Sequence, residues 1–247
     1  LIRRQRQMCI RDSHDVFLAH KTTEGHPESS RRLTAIVERL KASGLLEELV
    51  ALPVAPAETK WLHTIHTPAY VERVRRSCEE GRRYLDSPDV PISPKSYDAA
   101  VTAVGAVLAA VDAVVQADVR NAFCAVRPPG HHALSDEAMG FCVFNNVAIA
   151  TRYAQQKHDL SRILIVDWDV HHGNATQAAF FDDPNVLYFS VHQWPFYPGS
   201  GAEGESGRGK GRGLTINVPL PAGSNDGDYL EAFEGKLRPA ALAFEPQ

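Results

Sequence analysis

The chain carries no excess of charge of either sign: 26 lysines and arginines stand against 30 aspartates and glutamates, for a net charge of −4. So even a balance offers no electrostatic footprint for a nucleic acid, and none is expected as a partner. Cysteine is scarce. Cys9, Cys78, Cys124 and Cys142 show no paired spacing, which argues against a disulfide framework and for reduced thiols in a cytoplasm. Long hydrophobic runs are missing too. The most apolar uncharged stretch, residues 99–111, is ended by Asp112 and is too short to cross a bilayer, so it reads as a buried helix and no membrane partner is expected. No secretory signal and no internal repeat is visible.

What is present suits one α/β domain. The 247 residues, 44% of them apolar, can build a sizeable core. Amphipathic periods predict helices over 29–42, 68–80, 96–116, 145–158 and 226–243, the first with Ser29 as its cap. Between them, apolar strands begin at Ala122, Ile163, Val186 and Leu214. The alternation predicts a mostly parallel sheet with helices on both faces. Residues 199–213, with six glycines before Gly213, read as a mobile rim segment, with simple disorder as the alternative. Residues 1–13 read as a non-native segment, because Gln7-Met8-Cys9-Ile10-Arg11-Asp12 is what a sequencing adaptor encodes when translated. Its four arginines are therefore not taken as a signal.

Chemistry concentrates in two segments. Arg127-Pro128-Pro129-Gly130-His131-His132-Ala133 and Asp167-Trp168-Asp169-Val170-His171-His172-Gly173-Asn174 hold four of the eleven histidines. The second follows Ile163-Leu164-Ile165-Val166, a run expected to form a strand buried on both faces, so its polar residues fall at a strand end, where open α/β sheets place ligand sites. On an extended backbone Asp167, Asp169 and His171 share one face, and Trp168, Val170 and His172 the other. One carboxylate and one imidazole two residues apart can converge on a single zinc or similar divalent ion. The first segment follows a predicted strand over 122–126, and its prolines and glycine must leave that strand. His131 and His132 are thereby presented on a stiff loop, as general acid and base groups for a metal-polarised water.

With these residues in place, the chain resembles the histone deacetylase superfamily, in the bacterial branch of deacetylase-like amidohydrolases, acetylpolyamine amidohydrolases and acetoin-utilisation proteins. The likeness runs from about His14 to the last residue and includes Gly25-His26-Pro27-Glu28, Leu62-His63-Thr64-Ile65-His66 before Tyr70, Ser93-Pro94-Lys95-Ser96-Tyr97, Gly140-Phe141-Cys142-Val143-Phe144-Asn145-Asn146, and Val191-His192-Gln193 leading to Tyr197-Pro198-Gly199-Ser200-Gly201. The resemblance implies an arginase/deacetylase-like fold and a catalytic zinc bound by Asp169 and His171. It makes His132 the general base and then acid, and His131 its electrostatic partner. Asp167 would orient His131 and Asn174 would orient His132. Asn174 stands where some relatives have an aspartate, and a neutral amide supports a charged imidazole less. Gly140, Phe141 and Tyr197 match the acyl-lysine tunnel, and Asp89 a rim carboxylate that grips substrate backbone. The backbone carbonyls of Asp167, Asp169 and His171, with Ser190, match a structural potassium site.

Two family features are missing: a third metal-ligating aspartate, in a Gly-Phe-Asp-Ala-His type segment, and a carbonyl-polarising Tyr or His. The expectation is a C-terminally incomplete chain, with residues 14–247 as the N-terminal two-thirds or so of a catalytic domain, inactive as it stands. The parent function expected is zinc-dependent removal of acetyl groups from acetyl-lysine peptides or similar N-acetylated amines. Acetylpolyamine hydrolysis, or a non-catalytic binding module of the same fold, remain as alternatives. The two-manganese arginase group fits less well because of the tandem His131-His132. The oligomeric state is left open.

Overall fold

The computed structural model describes residues 8–10 and 15–247. Of the segment read as non-native, residues 1–7 and 11–13 lie outside the described residues. Residues 8–10 form a strand. The described chain divides into two compact units, one ending at Ala154 and the other running from Gln155 to Gln247.

In the first unit the elements run β1 (Met8–Ile10), α1 (Asp15–Ala19), α2 (Ser30–Ala42), α3 (Leu45–Glu48), β2 (Val50–Ala51), α4 (Thr59–Leu62), α5 (Pro68–Glu79), β3 (Tyr84–Leu85), β4 (Ser87–Pro91), α6 (Ser96–Val115) and β5 (Ala122–Cys124), with α7 (Asn146–His158) following. Strands β2, β1 and β5 form a parallel sheet in that order, with Cys9 opposite both Ala51 and Phe123. β3 and β4 form an antiparallel ribbon. α5 starts where the sequence provides both signals of a helix N-terminus: Thr67 caps it by accepting the Tyr70 N–H, and Pro68 fills the first turn. Ser29 occupies the cap position of α2 with extended backbone, yet its side chain makes no capping hydrogen bond. The expected cap is therefore positional only.

α6 is long and apolar enough by length and composition to cross a membrane. Twelve of its residues, most of them alanine or valine, are buried within the protein instead. Its two faces serve two cores. One joins Val101, Val104 and Leu108 to Tyr70, Val74, Phe144 and Ile149, and the other joins Ala99, Ala103 and Ala106 to Phe17 and Leu33. Tyr70 is fully buried and satisfies its hydroxyl by donating to Val143 O at 2.7 Å. Burying side chains of this size stabilises the fold by roughly 1.5–3 kcal/mol each.

The second unit contains β6 (Ile163–Asp167), α8 (Asn174–Phe180), β7 (Val186–Gln193), a 3-10 turn (Gly209–Gly211), β8 (Thr215–Leu220), α9 (Asp226–Ala232) and α10 (Arg238–Phe244). Its sheet is parallel in the order β6-β7-β8, with Asp167 opposite Ser190 and Ser190 opposite Asn217. The central strand β7 is buried from Val186 to His192. In β6, expected to be buried on both faces, only Ile165 is, because β6 lies at the edge of this three-stranded sheet. The single helix expected over 226–243 is interrupted by a π turn at Phe233–Leu237, just before Pro239. A proline has no N–H and its ring crowds the carbonyl four residues back, which the wider turn relieves.

Candidate active site

In the first unit β5 ends at Cys124, two residues earlier than the predicted strand, and the following loop is held at Arg127, Pro128 and Gly130. The Arg127 guanidinium pairs with Glu28 through Nε and Nη2 at 2.5 and 2.7 Å, and its Nη1 donates to Phe17 O at 2.6 Å. Pro128 O accepts from Asn146 Nδ2 at 3.2 Å, and Ala133 N closes back on Gly130 O at 3.0 Å. Burial alone would raise the Glu28 carboxyl, but hydrogen bonds from His20 and Arg127 overcome it and hold it at about 2. A buried carboxylate and guanidinium thus anchor the loop that ends in the histidine pair. The rings of His131 and His132 lie 4.0 Å apart, and His132 is buried.

A β carbon added at Gly140 would fall 2.2 Å from Cδ2 of His132. The ring therefore rests on the bare α carbon of that glycine. Gly140 and Phe141 both adopt left-handed backbone, with φ of 56° and 68°. The Phe141 ring meets His26 edge-on at 4.6 Å. Asp89, expected at the substrate rim, accepts the Gly140 N–H on Oδ2 at 2.8 Å and the Ser87 hydroxyl on Oδ1.

In the second unit the backbone does not stay extended beyond Asp167, so the alternation of faces expected from an extended strand does not hold. Trp168 is 66% exposed and Val170 is exposed, while His172 is fully buried. The aspartates themselves bend the chain. Asp167 Oδ1 accepts the Asp169 N–H at 3.2 Å, and Asp169 Oδ1 accepts the His171 N–H at 2.8 Å, side chain to backbone bonds characteristic of Asx turns. These turns bring Asp169 Oδ1 within 3.0 Å of His171 Nδ1. The two side chains thus meet through turns rather than through strand pleat. His171 stacks on Phe196 at 5.1 Å and meets Tyr197 edge-on at 5.9 Å. Asn174 opens α8. Ser190 is buried and its hydroxyl lies 2.9 Å from His192 Nδ1.

One constellation went unassigned in the sequence. His172 Nε2 lies 3.0 Å from Gln177 Oε1, and Gln177 donates to Glu205 at 2.6 Å. Glu205 also accepts the Gly201 and Ala202 N–H groups at 3.0 Å each. His172 and His192 rings lie 4.8 Å apart under Gly201, where a β carbon would strike both at 2.5 Å. Burial, then the neighbouring His192, pushes His172 down to about 4. The segment 199–213, expected to be mobile, is held by Glu205 and by Arg208, which pairs with Asp182 at 2.6 and 2.8 Å. The Glu28–Arg127 pair was likewise missed. Each end lay in a motif read from the sequence, but a contact across 99 positions has no periodic signature.

Asp169 and His171 have the mixed oxygen and nitrogen chemistry of a zinc site. They are two donors where a catalytic zinc takes three protein ligands, and among the described residues no group of three or more His, Cys, Asp or Glu side chains is placed to hold a metal. The fit is partial.

The histone deacetylase domain model matches residues 26–247. The chain is 45% identical over 236 residues to the rat polyamine deacetylase HDAC10, covering 89% of this chain and 39% of that protein. It is 41% identical over 223 residues to a histone deacetylase-like amidohydrolase of Pseudomonas aeruginosa, covering 90% of this chain and 57% of that one. The solved HD domain of HDA15 superposes with a TM-score of 0.93 at 36% identity, covering 98% of this chain and 69% of that one. The fold is the α/β architecture of arginases and deacetylases, a parallel sheet with helices. The chain belongs to the histone deacetylase family, and it spans less than two-thirds of the length of several relatives it matches.

Proposed function

We propose that the chain carries the proton-transfer histidines of a zinc-dependent deacetylase acting on N-acetylated amines. The observation that carries this is the His131–His132 pair, rings 4.0 Å apart, held on a loop anchored by a buried ion pair, with His132 itself buried. In this reading His132 takes a proton from the attacking water and later returns it to the leaving amine, while His131 beside it supports the changing charge. Asp169 and His171, which lie side by side, would supply two ligands to the metal. When bound, zinc would polarise the acetyl carbonyl and the attacking water. Gly140 and Phe141 would form one wall for a slender apolar stem, each buried methylene of which stabilises the complex by about 0.8 kcal/mol. Potassium held by the carbonyls of Asp167, Asp169 and His171 with the Ser190 hydroxyl would brace the metal loop.

Lysine and polyamine arms present the same stem. The sequence alone leaned slightly to acetyl-lysine peptides, whereas the named polyamine deacetylases among the relatives favour acetylated polyamines. Comparing turnover of an acetyl-lysine peptide with that of acetylputrescine and acetylspermidine decides between them. A preference of roughly tenfold, about 1.4 kcal/mol in transition-state binding, settles the class. In a form of the protein with activity, His132→Ala is expected to lose roughly two to four orders of magnitude in turnover while keeping its metal, and Asp169→Ala to lose the metal. Equal zinc loss in both variants would sink this division of roles.

A further inference from the structure

Gly140 and Phe141 are consecutive left-handed residues, and the Cys142 N–H donates to Met139 O at 3.0 Å, closing the four residues into a tight turn in which Met139 and Cys142 also bridge as antiparallel partners. Two left-handed centres closed in this way make a type I′ turn, whose second centre is usually glycine or asparagine. Phenylalanine there is strained. Something outside the turn has to hold it, and Asp89 is placed to do so. Its Oδ2 accepts the Gly140 N–H at 2.8 Å, its Oδ1 takes the Ser87 hydroxyl, and its own N–H lies 3.4 Å from Ser87 Oγ. Asp86, also on the β3–β4 ribbon, does the same for the residues just before: Oδ2 accepts the Ala138 N–H at 2.9 Å while both oxygens grip Arg73 at 3.0 Å.

What depends on the turn is substantial. It aims Phe141 at His26, and it turns the bare face of Gly140 onto the His132 ring. We propose that Asp89 is a positioning residue. It anchors the strained Gly140–Phe141 turn, and through that turn it fixes both the aromatic wall and the floor beneath His132. Contact with substrate is not required for this role. The consequence for catalysis rests on the deacetylase reading, whereas the anchoring itself does not.

The test has two arms. In the 247-residue chain, amide hydrogen exchange read by NMR should find Gly140 protected in the parent. In Asp89→Asn, which keeps an acceptor oxygen, the rate should stay within about threefold. In Asp89→Ala exchange should be roughly tenfold faster or more, as expected for loss of one charge-assisted hydrogen bond. Val104, in the buried helix α6, serves as the control for global unfolding. If its protection also falls in Asp89→Ala, the isosteric Asp89→Leu replaces that variant under the same criterion. Unchanged Gly140 exchange without the carboxylate, or equal acceleration in the Asn variant, overturns the proposal. In an active form, the turn role expects Asp89→Ala to lower kcat roughly tenfold on both a peptide and acetylputrescine, with Asn restoring it. A loss confined to KM for the peptide overturns it in favour of a substrate grip. If no form of the protein that carries a full set of metal ligands turns over either substrate, the deacetylase reading fails and the exchange arm still stands.

Discussion

At Gly140 a β carbon would come within 2.2 Å of Cδ2 and 2.7 Å of Cγ of His132, at a φ of 56°. Either the ring or the turn must move in Gly140→Ala. Overpacking of this kind costs about 1–3 kcal/mol, and displacing a proton-transfer group by about 1 Å can cost roughly a hundredfold in rate. The variant is therefore expected to unfold at lower denaturant and to lose turnover far beyond its loss of stability. A variant that melted early yet turned over normally would show that His132 is not the proton carrier. Sequence reasoning reached Gly140 only as part of a tunnel motif. Its actual constraint, an imidazole eight residues earlier, becomes visible only once the chain has folded back. The same holds for Asp169 and His171: their two-residue spacing was legible, but the force that brings them together is the Asx bonding of Asp167 and Asp169 to the backbone, not strand pleat.

Elements with a strong period were read from sequence within a residue or two: α2, α5, α6 and α7 all fall where apolar spacing put them. The misjudged segments owe their structure to single long-range side chains. Residues 199–213 carry so much glycine that composition alone suggests mobility. Glu205 nonetheless gathers Gly201, Ala202 and Gln177 on one carboxylate, whose pKa falls because those hydrogen bonds outweigh the effect of burial. In Glu205→Ala trypsin should cut after Arg208, Lys210 or Arg212 roughly tenfold faster at native conditions, since local opening would lose several bonds at once. No change in cleavage would mean that Arg208–Asp182 alone holds the segment. The loop before His131 depends similarly on Arg127. In Arg127→Ala the buried Glu28 loses its guanidinium partner and keeps His20 Nε2 at 3.4 Å. Removing one partner of a buried pair costs about 3–5 kcal/mol. A loss below about 1 kcal/mol by urea titration would show that water replaces the guanidinium and that the loop is not anchored this way.

On the scale of the whole molecule, the α/β class and parallel sheets were legible because strands and helices alternate, while the division into two units was not, since no linker composition marks Ala154 and α7 runs through it. Each unit carries its own acid-sensitive group. In the first, His66 bridges Leu134 O at 2.8 Å and the Asn145 N–H at 2.9 Å, and burial holds it down to about 4. In the second, His172 sits at about 4 for the same leading reason. A histidine whose folded pKa lies below its unfolded value near 6.5 binds its proton more readily in the unfolded chain. Its contribution is thus complete above about 6.5 and is lost as pH falls toward 4, by about 3 kcal/mol for each group. Glu28 acts lower down: held at about 2, it contributes fully above its unfolded value near 4.5 and loses that contribution as pH falls toward 2. Urea midpoints should be level above pH 6.5 and fall between 6.5 and 4 before the carboxylate takes over. His66→Gln, which keeps a donor and an acceptor without a titrating ring, should make the first descent shallower. Midpoints that stay level down to pH 4.5 in the parent would mean that neither histidine is held neutral by the fold.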